Sequence, residues 1–346
     1  MNVELFTAQE QIALWALFGL IISVALAVDL GAIGSIKKRI LKGKQKEVSP
    51  HEEKTKHQEF NHALAWTIVW ISLGLLFSVV IYFVISYDKM LEYITGYTLE
   101  KTLSVDNMFV FLLIFNSLAV PHKYQHRVLS IGIISAISMR IPLIVAGASL
   151  LENFHWMIYV FGGFLVFTAI RMLAQKKEEK IEVERNVAVR LLKKIMPVDV
   201  ATKTDKFLIR AASTGVLYAT PLLVALVMIE MTDLVFALDS IPAVLALTSD
   251  PFIVITSNIF AIFGLRSLYF LLSGSMEKFY YLKPALTALL FFIGFKMLVS
   301  EYVHIEIEIS LAVIVTILGT SLGLSYLKTR RMRSSPPSGQ PEPAHD

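Results

Sequence analysis

The sequence predicts an all-α polytopic membrane protein of about nine transmembrane helices, with two inverted three-helix repeats. Three observations support this fold class. The 346 residues are 55% hydrophobic and only 17% charged, with a mean hydropathy of +0.63, which is too apolar for an ordinary soluble domain. The apolar residues form blocks of about the 20 residues that a bilayer requires. A pattern of acidic residues inside these blocks also occurs twice.

The apolar blocks give the spans in chain order, and the basic residues give their orientation. With the N-terminus outside and the C-terminus in the cytoplasm, 26 of the 32 Lys and Arg residues fall in inward segments, and Lys89 alone falls in an outward one. Basic residues favour the cytoplasmic side, so the basic pI reflects orientation and not nucleic-acid binding. The predicted spans are 11–34, 65–87, 96–119, 127–150, 154–174, 214–247, 252–272, 284–303 and 309–327.

These spans divide the chain into seven parts. Charged stretches of both signs, His51–Glu59 and Lys176–Glu184, are expected to form solvated helices or flexible linkers. The parts are a first helix with a cytoplasmic basic loop (1–64), a second helix with an outward loop (65–95), repeat 1 (96–174), a cytoplasmic charged loop (175–213), repeat 2 (214–303), a last helix (304–333) and a disordered tail (334–346).

The repeat is visible in the order of its charged residues. Glu100 precedes Asp106-Asn107 by six residues, and Asp233 precedes Asp239-Ser240 by the same distance. The next span carries Arg140 in the first unit and Arg266 in the second, and each unit closes on a basic-Met-Leu phrase at Arg171 and Lys296. Three spans per unit predict that the second unit is inverted, with a site near the bilayer midplane between the units.

Acidic residues inside a membrane need compensation. An ionised carboxylate at the centre of a lone transmembrane helix costs roughly 2.5–3.5 kcal/mol. Span three carries two acids and span six carries three. Carboxylate, amide and hydroxyl oxygens suit hard dications such as Mn²⁺, Mg²⁺ or Ca²⁺, and the absence of cysteine excludes thiolate ligands. The predicted metal ligands are Glu100, Asp106, Asn107, Glu230, Asp233, Asp239 and Ser240.

Convergence of these residues on one ion requires a distorted helix. Residues seven apart share a helix face, as Glu100 and Asn107 do, whereas Asp106 and Asp239 point about 100° away from the residue that follows each of them. Pro242 lacks the N–H that would bond the Leu238 carbonyl. Span six is therefore predicted to be discontinuous.

Three other residues are accessory candidates: Asp29, Arg140 and Arg266. The arginines either hold the acids when the metal leaves or anchor helix ends. Asp29, near the inward end of span one, is either a helix-end residue or a ligand. An alternative to a metal site is that the acids form static ion pairs with Arg140, Arg266 and Lys296, although static pairs are weak stabilisers once desolvation is counted.

Several phrases closely resemble the TerC family, and within it the Alx-type branch: Thr95–Asn107, Glu230–Asp233, Phe236–Ala243, Asp250–Asn258 and Gly264–Phe270. The similarity extends over roughly 11–327. It implies a bacterial cytoplasmic-membrane protein that exports Mn²⁺, with metal ligands at the acids named above. Relatives in this family are tied to tellurite resistance, the alkaline-pH response and metal supply to secreted enzymes.

Two functions from different classes follow. The first is a divalent-metal exporter, most consistent with Mn²⁺ and with proton exchange as a coupling mechanism, since neighbouring carboxylates raise each other's pKa. The second is a membrane scaffold that binds secretion or metal-stress complexes through the loops 37–64 and 175–213. Secretion-machinery partners and a homo-oligomer are both compatible with the sequence. An intramembrane protease is disfavoured, because no Gly-rich catalytic motif accompanies the acids, and the chain is not expected to be an enzyme.

Overall fold

A computed structural model describes residues 8–29, 52–174, 186–199, 202, 204–210, 215–273 and 280–334. Within these ranges the chain forms eleven helices and one antiparallel hairpin. The helices are α1 (Ala8–Asp29), α2 (Glu52–Val84), α3 (Tyr87–Ser117), α4 (His122–Asn153), α5 (Met157–Ala174), α6 (Val187–Ile195), α7 (Pro221–Leu245), α8 (Pro251–Ile262), α9 (Leu265–Ser273), α10 (Leu282–Val299) and α11 (Ile307–Ser334); the strands are β1 (Leu208–Arg210) and β2 (Leu217–Ala219).

The helices confirm the polytopic all-α fold class. Seven are long and apolar enough to cross a membrane, namely α1, α2, α4, α5, α7, α10 and α11, and the bent pair α8–α9 makes an eighth candidate. Helix α3 has 31 residues but fails the same test of apolar composition, because Glu100, Lys101 and Asp106 lie in its central part. Each predicted span falls on one of these nine segments, and the count of nine crossings stays a prediction.

Helices α2 and α3 begin well before the starts that the sequence predicted. Helix α2 starts at Glu52, inside the predicted inward loop, so the part of the His51–Glu59 stretch that is described is helical. Helix α3 starts at Tyr87, the last residue of the predicted second span, and so includes the whole predicted outward loop; the Ser86 side chain caps it by accepting a hydrogen bond from the Lys89 N–H. Charged residues in these stretches therefore belong to helix ends and not to loops.

The predicted discontinuity in span six is wrong. Strand β2 and Pro221 at the first turn set the start of α7, which is then continuous for 25 residues through Pro242. Pro242 falls in the last turn, where little helix remains to be interrupted. The break lies instead between α8 and α9, where Gly264 has a φ of +78° and the axes bend by 40°.

The two predicted repeats are packed against each other. Helix α4 packs on α7, α3 packs on α8, and α5 packs along α10. This pairing is the one expected if a two-fold axis exchanges α3 with α7, α4 with α8–α9, and α5 with α10. The inverted orientation of the second unit stays a prediction.

The α5–α10 contact depends on two glycines. A Cβ on Gly294 would lie 2.8 Å from the Gly162 carbonyl oxygen, and a Cβ on Gly162 would lie 3.0 Å from that of Gly294. Small residues at such crossings let backbones approach closely inside a membrane.

The connection between the two units carries its own structure. Helix α6 packs on α7, and Val198 forms a parallel bridge to Ala219 at the end of the hairpin. The charged stretch Lys176–Glu184 and the predicted disordered tail, apart from Ser334, lie outside the described residues.

Candidate functional site

Four buried side chains meet in the middle of the bundle: Glu100 of α3, Arg140 of α4, Asp233 of α7 and Asn258 of α8. Asp233 is the central residue of α7, whose 25 residues give a length of about 37 Å against a hydrocarbon core of about 30 Å. The four helices come equally from the two predicted repeats. The cluster therefore lies between the repeats, at the middle of α7 and well inside α3 and α4.

Arg140 holds the cluster together and is only 1% exposed. Its Nη2 donates to Asp233 Oδ1 at 3.0 Å and its Nε to Asp233 Oδ2 at 3.3 Å, while its Nη1 donates to Glu100 Oε1. A guanidinium is planar and always charged, so it suits this two-pronged pairing with a buried carboxylate.

Two asparagines complete the polar shell. The side-chain oxygen of Asn258 accepts from Arg140 Nη1 at 3.2 Å, and the Asn107 amide nitrogen lies 3.5 Å from Asp233 Oδ1. Among the described residues, Glu100 Oε2 and the Asn258 amide nitrogen have no hydrogen-bond partner. Buried polar atoms without partners are costly, so Arg140 satisfies this cluster incompletely.

Glu230 adds a third carboxylate one turn before Asp233. Neither of its oxygens has a hydrogen-bond partner of normal geometry in the described ranges. The neighbouring Ser135 hydroxyl donates instead to the carbonyls of Ile131 and Gly132. Gly132 leaves room for the carboxylate, since a Cβ there would lie 3.4 Å from Glu230 Oε1.

A narrow cavity of about 30 Å³ reaches Glu230, Asp233 and Arg266, and its other walls are apolar apart from the backbone. This volume is enough for one water molecule or for a bare metal ion. The cavity connects the central carboxylates with the part of the bundle where α9 begins.

The remaining predicted ligands do not join Arg140. Asp239 Oδ1 accepts a hydrogen bond from Thr168 of α5 at 2.9 Å. Because α7 is unbroken, six residues turn Asp239 about 120° away from Asp233. Asp106 is half-buried on α3, and Ser240 is buried on the Asp233 face with no partner for its hydroxyl among the described residues.

The seven predicted ligands are thus not gathered around one point. Within the described parts of the chain, no three acidic or histidine side chains are placed to hold a metal ion together. The structure brings together Glu100, Asn107 and Asp233, with Glu230 beside them. It places Asp239 against another helix.

The accessory residues Asp29 and Arg266 form a second buried group. Asp29, the last residue of α1, is 1% exposed and its Oδ1 lies 3.6 Å from Arg266 Nη2. Arg266 Nη1 also lies 3.0 Å from His126 Nε2 and 3.1 Å from the Ser130 hydroxyl. Arg266 therefore pairs α9 with α1 and α4, and does not contact the central carboxylates as Arg140 does.

Lys101 was not predicted as a site residue and has a specific role. Its Nζ donates to the carbonyls of Ala261 at 3.0 Å and Phe263 at 2.8 Å, where α8 ends. Helix-end carbonyls inside a membrane need donors from the protein. The sequence could have indicated this role, because Lys101 lies within a predicted span and an intramembrane cation requires a partner.

An open cleft lies at the end of the bundle that is predicted to face outward. Its volume, on the same measure as that of the central cavity, is about 360 Å³. Its charged and titratable lining residues are Asp88, Glu92, Lys296, His304, Glu306 and Glu308.

Comparison with known proteins identifies the chain's relatives. The chain is 42% identical over 333 residues to an uncharacterized membrane protein of Myxococcus xanthus, covering 96% of this chain and 98% of that one. It is 40% identical over 317 residues to the "Putative membrane-bound redox modulator Alx" of Salmonella typhi, covering 89% and 92%, and 39% identical over 313 residues to the protein of that name in Escherichia coli K12, covering 88% and 91%. No solved structure matches the chain.

A family model described as "Integral membrane protein TerC family" matches residues 85–333. That range includes every residue of the central cluster and both predicted repeats. Since the match covers more than half of the chain and the relatives match over most of their own length, the chain belongs to the TerC family of integral membrane proteins.

Proposed function

We propose that the protein exports a divalent metal ion, Mn²⁺, from the cytoplasm across a bacterial inner membrane. The observation that carries this proposal is an excess of buried negative charge. Glu100, Asp233 and Glu230 supply three carboxylates near the middle of the bundle, and Arg140 is the guanidinium that contacts two of them. A dication balances such a site when it binds there.

The donor set favours a hard metal ion. Three carboxylates and the Asn107 amide offer oxygen, and the chain has no cysteine. Oxygen ligands suit Mn²⁺, Mg²⁺ and Ca²⁺, so the choice of Mn²⁺ rests on the family. Arg140 lies between the acids, so metal binding requires it to give up at least one partner. Carboxylates left by the metal can take protons, which makes proton exchange the proposed coupling.

The narrow cavity and the open cleft mark the two ends of the proposed route for the ion. The cavity reaches Glu230 from the Arg266 side, at the end proposed to face inward. The cleft at the opposite end has an acidic lining that favours cations. Transport would then pass metal from Glu230 to the central cluster and on to the cleft.

The Salmonella typhi and Escherichia coli relatives are named as redox modulators. A chain without cysteine has no thiol for disulfide exchange. Under this proposal, a redox effect of the protein would act through the supply of the exported metal. A scaffold acting through the cytoplasmic connection remains the alternative, and in that case the buried acids would be dispensable.

Glu230→Gln tests the proposal most directly, because it removes one charge without breaking an ion pair. Wild-type protein in proteoliposomes should transport Mn²⁺, and the initial rate of Mn²⁺ transport should be lower in the variant by about tenfold or more. Asp205→Asn is the matched control, since Asp205 lies on the surface in the connection. Competition by Mg²⁺ and Ca²⁺ identifies the preferred ion. Equal Mn²⁺ flux in wild type and Glu230→Gln contradicts the proposal.

A further inference from the structure

Helix α6 is a short amphipathic helix in the connection between the two repeats. The Asn186 side chain caps it by accepting from the Ala188 N–H, and Met196 leaves the helical conformation just before Pro197. Nine residues give a length of about 14 Å, which is far too short to cross a bilayer. Its apolar surface therefore serves another purpose than spanning.

The apolar arc of α6 is only half covered by protein. Ala188, Val189 and Leu192 are buried, and α6 packs on α7. Val187, Leu191 and Ile195 are 63%, 46% and 78% exposed. At about 100° per residue, these three side chains form one stripe about 80° wide, directly beside the buried arc. We call Val187, Leu191 and Ile195 the α6 stripe.

The opposite arc of α6 is basic. Arg190, Lys193 and Lys194 are exposed, and the helix contains no acidic residue. A helix with an apolar face and a basic face is typical of binding in the plane of an anionic membrane surface. If this side of α6 faced water, the three apolar side chains of the α6 stripe would be exposed to solvent.

The attachment of α6 places it close to the membrane surface. The Asp199 N–H donates to the Ala219 carbonyl at 2.9 Å, and Val198 bridges Ala219. Ala219 lies two residues before Pro221, where the candidate span α7 begins. Helix α6 therefore lies beside the point at which α7 enters the membrane.

We propose that α6 lies in the membrane interface, with the α6 stripe at the boundary of headgroups and acyl chains. Arg190 and Lys194, the basic residues nearest the stripe, face the phosphates of anionic phospholipids in the same leaflet, and Lys193, about 160° around the helix from Leu191, faces water. Since α6 packs on α7, this lipid contact fixes the position at which the helix carrying Asp233 enters the bilayer. The inference concerns lipid recognition and is independent of metal transport.

Single cysteines test the placement of α6, because the native chain contains none. Leu191→Cys and Ile195→Cys carry a nitroxide label on the stripe, and Lys193→Cys on the basic arc is the matched control. The full-length protein is reconstituted in phosphatidylcholine vesicles with and without phosphatidylglycerol. Power-saturation EPR then compares the accessibility of each label to oxygen and to a water-soluble nickel chelate.

The stripe labels should have an oxygen-to-chelate accessibility ratio severalfold above that of Lys193→Cys. Their depth should increase with phosphatidylglycerol, and 1 M salt should reverse the increase, because the Debye length falls to about 3 Å. The double substitution Arg190→Gln and Lys194→Gln in Leu191→Cys protein should remove this lipid dependence.

Three outcomes would overturn the proposal. Stripe labels as accessible to the chelate as Lys193→Cys would place α6 in water. Stripe labels shielded from both reagents would mean that protein covers the stripe, and spin–spin broadening would identify a second copy of this chain as that protein. A lipid depth that ignores phosphatidylglycerol would exclude recognition of anionic headgroups.

Discussion

Arg140 acts as a tethered cation between carboxylates from the two predicted repeats. Its Nη1 donates to Glu100, and its Nε and Nη2 donate to Asp233. A metal ion that uses the same carboxylates must compete with this guanidinium. In the proposed transport cycle this competition would keep the metal from binding too tightly to leave.

Arg140→Gln should therefore strengthen metal binding and slow transport. Removing the competing cation should lower the Mn²⁺ Kd by on the order of tenfold, which is about 1.4 kcal/mol. Slower release should reduce Mn²⁺ flux in proteoliposomes. Loss of the free Mn²⁺ EPR signal on titration of purified protein measures the affinity.

The same substitution leaves two buried acids without their cation, so metal-free Arg140→Gln should be less stable by about 3–5 kcal/mol. Mn²⁺ should restore much of the loss in thermal unfolding. Arg127→Gln is the control, since Arg127 is half exposed and pairs with Asp205 at the surface. If Arg140→Gln loses stability and binds no Mn²⁺, the static ion-pair interpretation is correct.

The sequence could predict the central acids and Arg140, but not the connections among them. Charge inside an apolar block demands a partner, which identified Glu100, Asp233 and Arg140. Which cation meets which acid depends on helix rotation and crossing, and these are properties of the packed bundle. Lys101 illustrates the difference, since it bonds two carbonyls that only the break after α8 makes available.

At the scale of the helices, the α5–α10 crossing depends on one glycine from each repeat. Gly294→Ala would place a Cβ 2.8 Å from the Gly162 carbonyl oxygen, and a backbone atom cannot move aside as a flexible side chain can. The variant should lose about 1–3 kcal/mol of stability from overpacking. Thermal unfolding in detergent, followed by tryptophan fluorescence, measures the change.

Gly163→Ala is the matched control on the same helix as Gly162. Nothing lies within 4 Å of the Cβ that it would add. The control should be neutral or more stable by up to about 1 kcal/mol, because alanine favours the helix over glycine. If Gly294→Ala and Gly163→Ala lost equal stability, the close α5–α10 crossing would not be what requires glycine at positions 162 and 294.

The position of the helix break shows a limit of sequence reasoning. Pro242 has no backbone N–H to donate a hydrogen bond. It lies in the last turn of α7, so the missing bond does not break the helix. Gly264 breaks the α8–α9 segment because its φ is +78° and the Trp70 side chain occupies the space of a Cβ, at 2.6 Å. A single glycine in an apolar run equally indicates close packing, so only the tertiary contact decides.

At the scale of the whole molecule, the order of the helices is predicted by patterns that extend over the full chain. Apolar blocks and basic loops gave the order of the helices, since insertion depends on composition summed over about 20 residues. The exception is α3, whose charged centre is tolerated because α2, α7 and α8 pack on it and Arg140 of α4 pairs with Glu100. Its composition alone does not establish that it crosses the membrane.

Labelling from the two sides of the membrane tests this arrangement as a whole. Tyr87 and Tyr302 are 52% and 84% exposed and flank the helices of the two repeats, and Asp205, with 57% of its side chain exposed, lies between the repeats. In the chain, which has no native cysteine, Tyr87→Cys and Tyr302→Cys should react with an impermeant maleimide added to intact spheroplasts. Asp205→Cys should react only after permeabilisation.

This pattern requires an odd number of membrane crossings between Tyr87 and Asp205, and an odd number between Asp205 and Tyr302. Helices α3, α4 and α5 supply three crossings before it, and α7, the bent pair α8–α9 and α10 supply three after it. If α3 did not cross, Tyr87→Cys and Asp205→Cys would react from the same side. If α8–α9 were re-entrant, Tyr302→Cys and Asp205→Cys would do so. Two inverted units require that Tyr87→Cys and Tyr302→Cys each react from the side of the membrane opposite to Asp205→Cys. Inversion makes α3 and α7 cross the membrane in opposite directions, so that their carboxylates meet midway through it.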